Sequence, residues 1–159
     1  MSYVPGVKGW IGLVARVVTG GVWIVAGALK FPDPAASVRA VRAYELLPET
    51  VVPAVGHLLP VVEVVIGVAL LVGLLTRPVA VVSALLLVGF VVGIASARGL
   101  SIDCGCFGGG GFDADATEKY PWEIARDLGL LSLSLWLVVR PSSRFSLDHA
   151  LFGEEGEGT

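Results

Sequence analysis

Four stretches of the chain approach or meet the length and apolarity of a bilayer-spanning helix, about 20 residues: Trp10 to Leu29, His57 to Leu75, Pro78 to Arg98 and Trp122 to Val139. With 55% hydrophobic and 16% charged residues, the chain is too apolar for an ordinary soluble domain of 159 residues. The expected fold is therefore all-α: an integral membrane four-helix bundle in the lipid bilayer, with residues 1–141 as the transmembrane domain. The tail, 142–159, ends in Gly-Glu-Glu-Gly-Glu-Gly-Thr and has the composition of a flexible acidic segment. Lys8 and Ala26-Gly27-Ala28 give the first stretch some likeness to a secretory leader, but its apolar run is long and contains Arg16, so it is read as a retained helix. The net charge of −3, with no basic run, argues against a nucleic-acid partner.

Within the first stretch Gly9, Gly12, Arg16, Gly20, Trp23, Gly27 and Lys30 recur every three or four residues, so they share one face. Small residues on that face let helix backbones approach closely, and an intramembrane Arg avoids the lipid tails unless it snorkels to the surface. Asp33 and Pro34 mark the start of a short amphipathic helix, which Pro48 ends. Ala35, Val38, Val41, Tyr44 and Leu47 form its apolar side; it is expected to lie at the membrane interface between helices 1 and 2.

The second stretch sets His57, Pro60, Glu63 and Gly67 on one stripe. A carboxylate at that depth is costly, so Glu63 is either functional or a structural ion-pair partner. The third carries Gly89-x-x-x-Gly93, a helix-packing signature. In the fourth, Trp122, Arg126, Gly129, Leu133, Trp136 and Arg140 share a stripe, with Asp127 beside it. Glu63 and Arg126 lie at similar depth from the loop side, which makes them plausible partners across the bundle.

The polar loop 99–121 holds both cysteines of the chain, in Asp103-Cys104-Gly105-Cys106-Phe107-Gly108, followed by a glycine run and acids. That run lacks the Lys-Ser/Thr of a phosphate loop, and two cysteines are too few for a four-ligand structural zinc site. A disulfide across one residue closes a small strained ring and is readily reduced, so Cys104 and Cys106 suit thiol–disulfide exchange; Gly105 supplies the backbone freedom that such a ring requires. Two alternatives stay open. Two thiolates can hold a soft metal ion, and two loop cysteines can also be unrelated.

These motifs resemble the methylamine utilisation protein MauE family of the DoxX-like group. The likeness is carried by Gly27-x-x-Lys30, Tyr44-Glu45-Leu46-Leu47-Pro48, Leu59-Pro60-x-x-Glu63-x-x-x-Gly67, the cysteine loop and Trp122-x-x-x-Arg126-Asp127. The resemblance implies a bacterial inner-membrane protein of four helices, linked to disulfide formation or maturation of exported proteins. Its partner would be an extracytoplasmic thioredoxin-like protein, with Cys104 and Cys106 as the redox pair. Glu63, Arg126, Asp127, Gly105, Phe107 and His57 are the supporting candidates. A quinone is a candidate electron acceptor without a dedicated motif, since the membrane thiol oxidases that couple to quinone use two cysteine pairs and this chain has one. A non-catalytic subunit of a membrane complex is the alternative reading.

With four spans the interfacial helix and the cysteine loop share one side. Near helix ends that side carries Lys30, Arg39, Arg42, Arg98 and Lys119, against Lys8, Arg77, Arg140 and Arg144 on the other. The positive-inside rule thus barely separates the two sides. The expectation of an extracytoplasmic loop rests on redox chemistry, which favours an oxidising compartment.

Overall fold

The computed structural model describes residues 5–96, 102, 103, 105, 107, 111, 112 and 115–140. Cys104, Cys106, most of the glycine run and the acidic tail lie outside the described residues. Five helices make up the fold: α1 Pro5–Lys30, α2 Pro34–Ala43, α3 Val52–Val72, α4 Thr76–Ser96 and α5 Ala116–Val139. Between α4 and α5, β1 Ile102–Asp103 and β2 Gly111–Phe112 pair antiparallel, Ile102 opposite Phe112. This pairing draws together the two ends of the cysteine segment.

Three helical segments are long and apolar enough to cross a membrane, Gly9–Lys30, Val52–Val72 and Thr76–Ser96. Their outward residues are apolar as well: Val14, Val17 and Val25 on α1, Leu58, Val61 and Val65 on α3, Val81, Leu85 and Val88 on α4. A continuous exterior of this kind matches hydrocarbon and not water. The expected fourth span does not join them, because α5 carries Glu118, Lys119, Glu123, Arg126 and Asp127 in its first half. Its second half, from Leu128 onward, is apolar and packs on α4 and α1.

α1 and α3 make the most extensive contact of the fold. Glycines set its closeness. A Cβ on Gly67 would stand 2.6 Å from the Gly20 carbonyl oxygen, and one on Gly27 would stand 2.7 Å from that of Pro60. The expected inward face of α1 is observed, with Arg16, Gly20, Trp23, Gly27 and Lys30 all buried. Arg16 does not snorkel. It is fully buried, and its Nε and Nη2 donate to the carbonyls of Leu70 and Leu71 at 2.8 and 2.9 Å, satisfying the last turn of α3 where Gly73 turns the chain at φ 74°.

The amphipathic helix begins as expected, since Asp33 accepts from the Ala36 amide at 3.1 Å and Pro34 fills the first turn. It ends earlier than Pro48, at Ala43. Its buried face is rotated, with Ala36, Ser37, Val38 and Ala40 inside and Ala35 and Leu47 exposed. The cause is local: α3 offers Gly56, where a Cβ would stand 2.6 Å from the Val38 Cα, so the two backbones meet there. The Gly89-x-x-x-Gly93 signature is not a helix contact. A Cβ on Gly89 would meet nothing within 4 Å, and one on Gly93 would meet only the Tyr44 ring, at 3.4 Å or more. The stripe expected on α5 is likewise rotated: Asp127, Leu130, Ser134 and Leu137 are buried, whereas Trp122 is 73% exposed and Gly129 and Arg140 are exposed.

Candidate functional site

Charged side chains converge where the cysteine segment meets the helices. Lys30, in the last turn of α1, donates to Glu63 Oε1 on α3 at 2.5 Å, and both side chains are almost wholly buried. The direct partner of Glu63 is therefore Lys30 and not Arg126 as the depths suggested. Arg126 pairs instead with its neighbour Asp127, Nη2 to Oδ1 at 2.8 Å and Nε to the same oxygen at 3.0 Å. The two pairs still form one cluster: Glu63, Arg126 and Asp127 line the same cavity, and the Lys30 charge also acts on Asp127. Two cations facing two carboxylates leave the cluster neutral, which is how charge is tolerated at such burial.

The cavity among them is small, about 20 Å³, room for one water. Glu63 Oε2 and Asp127 Oδ2 are buried and have no hydrogen-bond partner. Below this layer a polar chain ties three helices: Trp23 Nε1 donates to Ser83 Oγ at 2.8 Å, and Ser83 Oγ lies 3.0 Å from Ser134 Oγ. It fixes α5 against α1 and α4 at the depth of the core.

The cysteine segment is held onto the cluster through its described residues. The Arg126 guanidinium lies over the Phe107 ring, 4.4 Å from its centroid, and Phe107, like Phe90, packs against the cluster of Ile94 and Tyr120. Gly105, between the two cysteines, is buried with φ 65°, in the left-handed region that a residue with a Cβ resists. The disulfide ring for which Gly105 was expected to supply this freedom involves Cys104 and Cys106, which lie outside the described residues.

A second and larger cavity, about 310 Å³, lies beneath α2, between it, α3 and α4. Lys30, Ser37, Tyr44, Gly89, Gly93 and Gly105 belong to its wall, which is otherwise mostly apolar. Phe90 belongs to the walls of both cavities, and the Lys30 ammonium lies 5.6 Å from its ring centroid.

Of the sequence candidates, the structure thus brings together Glu63, Arg126, Asp127, Phe107 and Gly105. His57 stands apart from them. It is exposed in the first turns of α3, its Nδ1 2.7 Å from the Pro53 carbonyl, and lines neither cavity; Gly56 takes its expected inward place. Sequence reasoning placed Lys30 on the inward stripe of α1 without making it part of the site, although a buried cation one turn from Gly27 was itself the signal. Among the described residues no cluster of three or more His, Cys, Asp or Glu could hold a metal ion.

The apolar helices and the buried ion pairs near one end define a helical membrane protein with a charged cluster under a cysteine-bearing loop. Residues 8–140 match the family model described as methylamine utilisation protein MauE, and the chain belongs to that family. No curated protein and no solved structure matches it.

Proposed function

We propose that this MauE-family membrane protein is a thiol–disulfide oxidoreductase or redox partner whose working pair is Cys104 and Cys106. The observation that carries the reading is the treatment of Gly105. The residue between the cysteines is buried, held at a positive φ, and followed by a Phe107 clamped under Arg126. A loop with no task would have no need for a buried, anchored backbone whose conformation is reserved for glycine.

In the proposed reaction the thiolate of a partner attacks one sulfur of the Cys104–Cys106 disulfide. A mixed disulfide forms and the other cysteine leaves as a thiolate. The second thiol of the partner then attacks the mixed disulfide, so the partner leaves oxidised and this chain holds the dithiol. A thioredoxin-like extracytoplasmic protein is the proposed partner. The proposal includes α5 as a fourth membrane span, supported by its apolar second half and by the Trp23–Ser83–Ser134 chain that holds it in the core. It also includes α2 on the membrane interface, on the loop side of a bacterial inner membrane, with that side extracytoplasmic.

The test uses purified protein in lipid nanodiscs with a reduced thioredoxin-like protein. The disulfide form should oxidise it. Cys104→Ser and Cys106→Ser should each stop turnover, and one of the two should displace glutathione from a single-cysteine partner held as its glutathione mixed disulfide, leaving a protein–protein mixed disulfide visible on a non-reducing gel. Full exchange activity in the double variant would refute the reading.

A further inference from the structure

The larger cavity has no role in the proposed thiol exchange, and its place in the bundle says what can reach it. At about 310 Å³ it falls within the size range of small-molecule sites. α1 ends at Lys30, α3 begins at Val52 and α4 ends at Ser96, and the wall is drawn from these three ends together with α2. Along α4 it runs from Gly93 back to Leu85, about 12 Å at the rise of an α-helix. The cavity is thus a slot that starts at one end of the membrane-length helices and follows them inward. It opens on the apolar exterior: Leu85 is 66% exposed and Gly89, one turn on, is exposed too, on the α4 face that carries Val81 and Val88. A ligand therefore enters from the hydrocarbon.

The lining is mostly apolar, with Leu47, Leu59 and Leu86 in it. Against it stands one unmatched polar group. Ser37 Oγ is buried and has no hydrogen-bond partner, and the Ser37 residue is 3% exposed. Its neighbour Val38 meets Gly56 in the early turns of α3, so Ser37 stands at the outer end of the slot. A bare hydrocarbon chain would leave that hydroxyl unpaired, at a cost, whereas an acceptor oxygen would pair it. A carboxylate is the wrong acceptor. Lys30, the charged residue of the described wall, is already engaged by Glu63 at 2.5 Å, so a ligand carboxylate would be a buried charge without a counter-ion. What fits is a neutral carbonyl at the head of a long apolar chain, which is the ester end of a glycerolipid.

We infer that the cavity beneath α2 binds one acyl chain of a bilayer phospholipid. The ester carbonyl accepts a hydrogen bond from Ser37, and the methylenes run along α4 toward Leu85. The site needs neither cysteine.

The probes are dioleoylphosphatidylethanolamine and its diether counterpart, which keeps the head group and the chains but lacks both ester carbonyls. Each is titrated into the delipidated full-length protein in detergent, and bound lipid is counted by native mass spectrometry. The inference expects one saturable diester lipid per chain, with the diether bound about fivefold more weakly, as for the loss of one hydrogen bond. Ser37→Ala should lower diester binding to the diether level and leave the diether unchanged. Gly89→Phe places a ring in the slot, at a position where a Cβ meets nothing within 4 Å, and should abolish the saturable site for both lipids.

Equal affinity of the unaltered protein for the two lipids, or lipid counts unchanged in Gly89→Phe, would mean surface lipid alone and overturn the inference. Preferential binding of oleate over the diester would overturn it as well, since the occupant would then be a carboxylate. The diester–diether comparison on the unaltered protein decides the matter even if a variant does not fold.

Discussion

Gly105 is where sequence and backbone most directly meet. A positive φ costs a residue with a Cβ about 1–2 kcal/mol, so Gly105→Ala should lower thermal stability by that order, and Gly105→Asn should lose less because Asn visits this region more readily. Thermal unfolding in detergent, run beside the rate of thiol exchange, checks this. The Lys30–Glu63 pair makes a sharper case. Removing one member leaves the other as an uncompensated buried charge, so Lys30→Met should cost about 3–5 kcal/mol, whereas Lys30→Met with Glu63→Leu should recover most of that loss. A double-mutant cycle by denaturant unfolding separates the terms.

The importance of Glu63 was legible, since a carboxylate in an apolar run demands a partner. The identity of that partner was not. Helical depth alone paired it with Arg126, but depth says nothing about azimuth, and Lys30 projects from the α1 face that the glycines press against α3. His57 failed for a similar reason. A spacing of three admits two neighbouring stripes, and the close approach of Val38 selected the one containing Gly56.

Between elements, helix ends are joined by arginines. Arg16 of α1 satisfies the last carbonyls of α3, and Arg77 of α4 donates from Nε to the Val138 carbonyl of α5 at 3.0 Å. Cations there complement the negative ends of both helix dipoles. Arg16→Met should destabilise by about 1–3 kcal/mol, the cost of buried carbonyls left without donors, and the loss should appear first as faster hydrogen exchange in the last turn of α3.

α2 answers to pH. The Arg39 hydrogen bond, then the Ala36 amide, holds the Asp33 carboxyl below its ordinary value, and Arg42 does the same for Glu49. Both folded-state values are depressed, so their contribution is complete above the ordinary carboxylate range and is lost as pH falls through the lowered values. The protection factors of the α2 amides, that is, exchange corrected for its intrinsic pH dependence, should therefore fall on acidification from about pH 7 to about pH 3, with those of the α1–α3 core unchanged. The start of α2 could be read from Asp33-Pro34, because capping is a local signal. Its end and its inward face could not, because they depend on which residues α3 presents.

For the whole molecule, three membrane-length helices and family membership were both readable from apolar runs and the Asp103-Cys104-Gly105-Cys106-Phe107-Gly108 loop. α5 was harder, since two of the charges that disqualify it as a simple apolar span, Arg126 and Asp127, are ones that build the cluster with Glu63. The cavity beneath α2 was not legible at all: it arises from the joint placement of α2, α3 and α4, and its Gly89-x-x-x-Gly93 wall read in sequence as a packing motif.

The proposed function requires an extracytoplasmic, reducible Cys104–Cys106 pair. It is tested most directly by treating intact cells with a membrane-impermeant maleimide, with and without mild prior reduction, and reading the gel shift. Labelling is expected only after reduction. No labelling after reduction, where lysed membranes do label, would put the loop on the cytoplasmic side and contradict it.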